Sequence, residues 1–486
     1  MIRFHEGDGI AAFRRWSDEE LETMYRGAIR ILEEVGVTVL QEEAMSLLRG
    51  AGAEIDGDLV RIPGRLVEEA VASAPSHYSV FSSDGETELE LAPNLMYFGT
   101  GTDMPEFVDL YSGDFRPGRL ADCENAAKVA QQCGAIDWIA PYTLAADKDP
   151  RVADLYHYRA MRTYSNKPIL TLATDGYSLK GIIDMAAAQA GGYGKLKEKP
   201  TFVHYTEPIS PLQNPEECMD KLLLCAEYGI PVTYTSGVMA GATGPVTLAG
   251  TLAVGLAEAF SGLVIHQLKA PGAPFMLGCE ASIMDMKTTV CMYGGPEYGL
   301  MNSFVGEMGR YLDIPTFGLS GATDANECDL QMGAEMIFSM ITAIYGRQNF
   351  VHDNGYMGIG QMGALQAILA ANELLAFVKR YAEGMRVTEE TFCIDQIKEV
   401  GPGGDFLTRI ETMKGFRKEY YFPEFLNRWR NVSWAEKGRP NIPDKLTAKA
   451  KAIVEGDVPV FVDEELDATF CGIIAEHEAF YRREDI

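Results

Sequence analysis

Pro168-Ile-Leu-Thr-Leu-Ala-Thr-Asp-Gly176 opens a unit that recurs to Gly363: a short apolar run rich in β-formers, a Gly/Ser/Thr-rich turn, then a long helical pattern. Working outward from it gives eight candidate strands, at 95–98, 136–144, 169–173, 201–205, 232–235, 275–277, 316–319 and 350–352. The segments between them have helical periodicity, for example 215–228, 246–269 and 327–345. Short apolar runs alternating with helices predict parallel strands in βα units. Eight such units in series are what a (β/α)8 TIM barrel requires, and in such barrels the chemistry sits on the loops that follow the strands. The predicted fold is therefore α/β, with residues 91–383 as the barrel.

The flanks read differently. Ser17-x-x-Glu20 is a capping box that opens a helix. Asp56-Gly57 carries a hairpin signal, and Pro63 precedes one more helix. Residues 1–90 are thus predicted to form an α+β cap. After Glu383 the alternation stops and Gly401-Pro-Gly-Gly404 breaks the chain, so residues 384–486 are predicted to form a helical extension packed on the barrel. The stretch 98–119 is predicted to be a long loop over the barrel mouth.

In 486 residues, Lys and Arg total 42 against 70 Asp and Glu, a formal net charge of −28. Such a polyanion is repelled by phosphate backbones and anionic membranes, which argues against both as partners; a small cation is drawn in by the same field. Nine scattered cysteines without a Cys-x-x-Cys pair suit reduced thiols. With no apolar leader in the first residues, the expected location is the cytoplasm.

Gly358-x-Gly360-x-x-Gly363 matches the dinucleotide fingerprint in letters, but no strand ending in an acid follows it. The seven histidines are dispersed and no His-x-x-x-His occurs, so no metal site is expected. Gly-x-Ser-x-Gly is absent. What remains is the set of residues at the predicted strand ends: Tyr97, Asp103, Tyr142, Asp175, Glu207, Ser236, Glu280, Thr323, Asp324, His352, Asn354 and Tyr356. Aromatic rings with nearby carboxylates suit a quaternary ammonium group, each ring face contributing ~0.5–2 kcal/mol.

Phe317-Gly-Leu-Ser-Gly-Ala-Thr-Asp-Ala325, Asp329-Leu-Gln-Met-Gly-Ala-Glu335 and Asn349-Phe-Val-His-Asp-Asn-Gly355 resemble the trimethylamine methyltransferase (MttB) superfamily. So do Gly241-Ala-Thr-Gly-Pro-Val-Thr-Leu-Ala-Gly250 and Gly401-Pro-Gly-Gly-Asp-Phe-Leu407. The resemblance implies a TIM barrel that moves a methyl group from an amine to the Co(I) of a separate corrinoid protein. It also implies a homo-oligomer. Founding members carry pyrrolysine, whereas this chain contains only ordinary residues. In that respect it resembles members that demethylate quaternary amines such as glycine betaine, carnitine or proline betaine.

The chain lacks the Asp-x-His-x-x-Gly signature of cobalamin carriers, so no cofactor is expected on it; the cobalamin comes with the partner. The expected substrate-binding residues are Tyr97, Tyr142 and Tyr356 as a cage, Glu207 and Asp324 against the ammonium, and His352 with Asn354 as orienting groups. Gly358, Gly360 and Gly363 are expected to allow the corrinoid close approach. Arg116, Arg119 and Lys287 are the cations available to a betaine carboxylate. Two other readings remain open: a corrinoid methyltransferase for a thiol or methoxy compound, and a non-catalytic betaine-binding protein.

Overall fold

The computed structural model describes residues 1–3 and 14–484. The protein is α/β, with its central strands in parallel sheets. Ile169–Thr171, Phe202–Thr206, Val232–Ser236 and Phe275–Cys279 pair in that order, all parallel. Leu277 then bridges to Thr316, leading into Phe317–Leu319, Phe350–Asn354 and Leu95–Thr100, again parallel. Gly99 bridges to Trp138 and Ile139 to Ile169, so the segment 136–144 closes a ring of eight. Each member is followed by a helix: Leu120–Gln132, Ala153–Tyr164, Gly176–Ala190, Glu216–Tyr228, Leu248–Lys269, Pro296–Leu312, Leu330–Gly346 and Leu365–Ala382.

The predicted strand at 136–144 makes bridges instead of a ladder. Two causes are visible. Ile2–Arg3 pairs with Leu95–Met96 and occupies the stretch of edge just ahead of this segment, so no ladder can extend backward past Tyr97 from the Gly99–Trp138 bridge. Pro141 has no N–H to donate. Trp138 instead lays its ring against Gly99, where a Cβ would stand 2.2 Å from the indole; glycine is required there by close approach. The Trp138 ring also stacks on Phe350, with centroids 3.9 Å apart. With Tyr97, Leu170, Val203, Met276 and Phe317, these rings fill the interior of the ring as a packed floor.

The capping box forms as predicted: Glu20 N–H donates to Ser17 Oγ, and Ser17 N–H donates back to Glu20 Oε2 at 2.8 Å. The helix it opens, Asp18–Glu34, lies with Gly64–Ser73 on the outer face of Leu248–Lys269. That arrangement explains a helix apolar on all sides. Its inner face meets the strands Val232–Ser236 and Phe275–Cys279, its outer face meets these two helices, and Tyr25 packs edge-on to Phe260 with centroids 5.5 Å apart.

One prediction is corrected. The stretch 98–119 is not one open loop: Glu106–Val108 and Phe115–Pro117 form a hairpin, and Met362–Gly363 pairs with its first strand. In the tail, Ile442–Val454 packs on Leu365–Ala382, and Glu464–Glu484 packs on Gly176–Ala190. The helices Ile394–Val400, Ile410–Glu419 and Asn431–Glu436 between them bury no residue.

Because Phe260 is fully buried between cap and strands, Phe260→Ala is expected to cost about 3–5 kcal/mol. In a thermal melt, the main transition should move down as a unit. A separate low-temperature transition, with the main one unmoved, would mean that the cap melts independently.

Candidate functional site

Inward-facing positions recur every second residue along a strand, so the end of each inward line meets the mouth of the ring. Along Phe202–Thr206 the inward residues are Val203 and Tyr205, and the line continues to Glu207. Along Phe275–Cys279 the line is Met276, Gly278 and then Glu280. Along Phe350–Asn354 it is Phe350 and His352, and there the register shifts between Val351 and Asn354. Asp353 has a positive φ of 70°, which turns its side chain to the same side as His352.

These lines meet in a cavity of about 470 Å³ at the C-terminal ends of the strands. Its walls carry four carboxylates, Asp103, Glu207, Glu280 and Asp353, and three tyrosines, Tyr205, Tyr293 and Tyr356. The buried His352 is the one basic side chain among the described lining residues. Its Nε2 lies 2.8 Å from Glu280 Oε1, and its Nδ1 lies 3.1 Å from Asp353 Oδ1. Burial works against the imidazolium, but Asp353 and Glu280 outweigh it and raise His352 to about 10. Asp103 is pushed up to about 7, first by burial and then by Glu207 and Asp353. Glu207 is raised by the surrounding protein and by Glu280, against the hydrogen bond that Tyr205 donates to its Oε2 at 2.7 Å. Tyr293 and Tyr356 stand edge to face, with centroids 5.3 Å apart. Burial lifts all three phenols well above their usual range, so they remain neutral.

Of the seven residues expected to bind substrate, the structure brings Glu207, His352 and Tyr356 to the cavity. The other four stand elsewhere. Tyr97 pairs in register with Phe350 and belongs to the aromatic floor, because its strand runs on to Thr100 and leaves it below the rim. Tyr142 donates to the Gly355 carbonyl at 2.6 Å, with the Ala364 carbonyl at 3.0 Å, and so pins the loop that carries Tyr356. Asp324 accepts from the N–H groups of Tyr293 and Gly294 at 2.9 and 3.0 Å, which holds Tyr293 in place. Asn354 donates to Gly99 O at 2.7 Å and accepts from Ser320 Oγ at 2.9 Å.

The three glycines have internal reasons. A Cβ on Gly360, whose φ is +80°, would stand 2.5 Å from the Tyr356 ring; Gly358 also has positive φ, and Gly363 lies against Tyr142. Among the available cations, Arg116 is engaged by Asp109 and Asp122. Arg119 and Lys287 are exposed and are not among the lining residues.

Sequence reading omitted Tyr205, Tyr293 and Asp353. Tyr205 lies one inward step before the strand end that was read. Asp353 depends on the register shift, and Tyr293 sits on a connection 14 residues past the end of its strand. Only Tyr205 had a signal available, the alternation Val203, Tyr205, Glu207.

The family model for trimethylamine methyltransferase (MTTB) matches residues 6–480. The chain belongs to this family. It is 29% identical over 479 residues to the trimethylamine methyltransferase MttB of Desulfitobacterium hafniense (strain DSM 10664 / DCB-2), covering 98% of this chain and 96% of that one. It is 28% identical over 473 residues to a glycine betaine methyltransferase of Desulfitobacterium hafniense (strain Y51), covering 97% and 98%. Among solved structures, the monomethylamine methyltransferase MtmB of Methanosarcina barkeri aligns with a TM-score of 0.52 at 11% identity, covering 92% of this chain and 89% of that one. MttB-family membership makes the chain a methyltransferase, and likeness to MtmB extends to the fold.

The cavity's charge has a pH signature. Asp103 loses its proton through about 7 while His352 stays charged, so the walls become more negative between pH 6 and 8. Calorimetric titration with tetramethylammonium is expected to show affinity rising up to about tenfold over that interval, the ratio of ionised Asp103 at its ends. Asp103→Asn should flatten the profile.

Proposed function

We propose that this MttB-family methyltransferase takes a methyl group from a quaternary amine and delivers it to the corrinoid of a separate partner protein. The observation that carries this reading is the cavity itself: three neutral phenol rings and four carboxylates at the mouth of the strand ring, facing a single imidazole. Aromatic faces and carboxylates attract a cation whose charge is spread over methyl groups. We read the ring as a (β/α)8 TIM barrel spanning 91–383, between a cap at 1–90 and a helical extension at 384–486. The enzyme is taken to be cytoplasmic. The homo-oligomer expected from the resemblance is supported by the three tail helices that bury nothing within one chain.

A quaternary nitrogen has no lone pair and no proton, and it leaves as a neutral tertiary amine once one methyl is gone. No general acid is needed. The partner's reduced corrinoid supplies the nucleophile. The work of this chain is capture, orientation and exclusion of water. Tyr205, Tyr293 and Tyr356 offer ring faces to the ammonium, while Glu207 and Asp103 supply the long-range attraction. Positive charge disappears from nitrogen as the methyl departs, so the carboxylates favour the bound cation over the transition state. On that account the rate comes from holding one methyl toward the open mouth. His352, fixed between Glu280 and Asp353, sets the depth at which the cation stops.

The test is methyl transfer with a reduced corrinoid protein, read by the optical change of the corrinoid on methylation, across quaternary amines and trimethylamine. Turnover on a quaternary amine and none on trimethylamine is expected. Tyr356→Ala and Tyr293→Ala should each weaken substrate binding by about 2- to 30-fold, the equivalent of ~0.5–2 kcal/mol per ring. Wild-type affinity in both variants would sink the cage assignment.

A further inference from the structure

The cavity walls hold no lysine or arginine among the described lining residues, and their one basic group, His352, is already held by Glu280 and Asp353. A betaine carries its carboxylate one to a few bonds from the ammonium, so seating the ammonium among these rings brings the carboxylate close to Asp103 and Glu207. Among the described lining residues only the His352 imidazolium opposes that repulsion, and it is already paired with two carboxylates. Arg116 is held by two aspartates, and Lys221, whose charge reaches Glu207, donates its Nζ to the Ala173 carbonyl at 2.8 Å. The walls are also rich in acceptors: an ionised carboxylate only accepts hydrogen bonds, and Tyr205 has already committed its hydroxyl to Glu207. A substituent that donates finds several partners, and one that only accepts finds few.

We infer that the cavity selects a quaternary ammonium ion whose remaining substituent is uncharged and bears a hydroxyl, a cation of the choline class, and discriminates against carboxylate-bearing betaines. This rests on the proposed function, and it narrows the betaine expectation drawn from the resemblance. Glu207, at the mouth, becomes the specificity-determining residue: the ammonium end is attracted to it and a carboxylate end is turned away.

Calorimetric titration of the full chain with choline, tetramethylammonium and glycine betaine at pH 8 tests it. Choline is expected to bind at least about tenfold more tightly than glycine betaine, the scale of one uncompensated like-charge contact at this depth. Tetramethylammonium, which has no hydroxyl, should fall between them. In Glu207→Gln, choline should weaken and glycine betaine tighten, a crossing of affinities that a general loss of structure would not produce. Glycine betaine binding as tightly as choline or more so in the wild-type chain would overturn this inference and leave the proposed function standing. Failure of all three compounds to bind would overturn the proposed function itself, and this inference with it.

Discussion

The pairing of Phe350–Asn354 with Leu95–Thr100 joins segments about 250 residues apart, and both the ring and the site depend on it. In the lower half of that strand the ladder is regular, and Phe350 stacks on Trp138 to fill the floor. In the upper half the register shifts, and two successive side chains, His352 and Asp353, face the same space. A regular strand would have sent Asp353 outward toward the helical layer, away from the His352 side of the strand. The irregularity therefore sets the charge of the cavity. It is followed by positive φ at Gly355, Gly358, Ile359 and Gly360, the last of which leaves room for the Tyr356 ring. Strain of this kind persists where surrounding contacts hold it, and here the Tyr142 hydroxyl does so by donating to Gly355.

The cavity gathers more negative charge than a stable interior ordinarily carries. Four carboxylates face one imidazolium, and burial first, then the neighbouring carboxylates, raise the proton affinity of Asp103, Glu207 and Glu280. On the proposed function, a bound cation would offset that crowding of negative charge. The aromatic floor beneath is uncharged and buried. It blocks passage through the ring and leaves the mouth as the way in.

Several residues expected to bind substrate hold cavity-lining segments in place. Tyr142 and Asp324 are examples: the first pins the loop of Tyr356, and the second caps the turn of Tyr293. Their polarity and their position after strands drew attention to them, and those properties serve positioning as readily as binding. The tail shows the converse. Its helical character was readable from composition, but which parts pack on the ring depended on side chains far away in sequence, such as those of Leu365–Ala382 beneath Ile442–Val454.

The sequence by itself determined the alternation of strands and helices, the capped first helix, the excess of acid and the family. Each of these is written in local periodicity, in a short motif or in composition. It also located Glu207, His352 and Tyr356, because they stand at strand ends or just beyond them. Only the tertiary structure decided how far each strand runs, and two more residues at the end of Leu95–Thr100 were enough to move Tyr97 from rim to floor. Only the tertiary structure turned Asp353 inward and brought Tyr293 across from a distant connection. The physical reason is that local periodicity says which face a side chain takes within a regular element. Depth along the ring and every break in register are set by contacts between segments that the chain order keeps far apart.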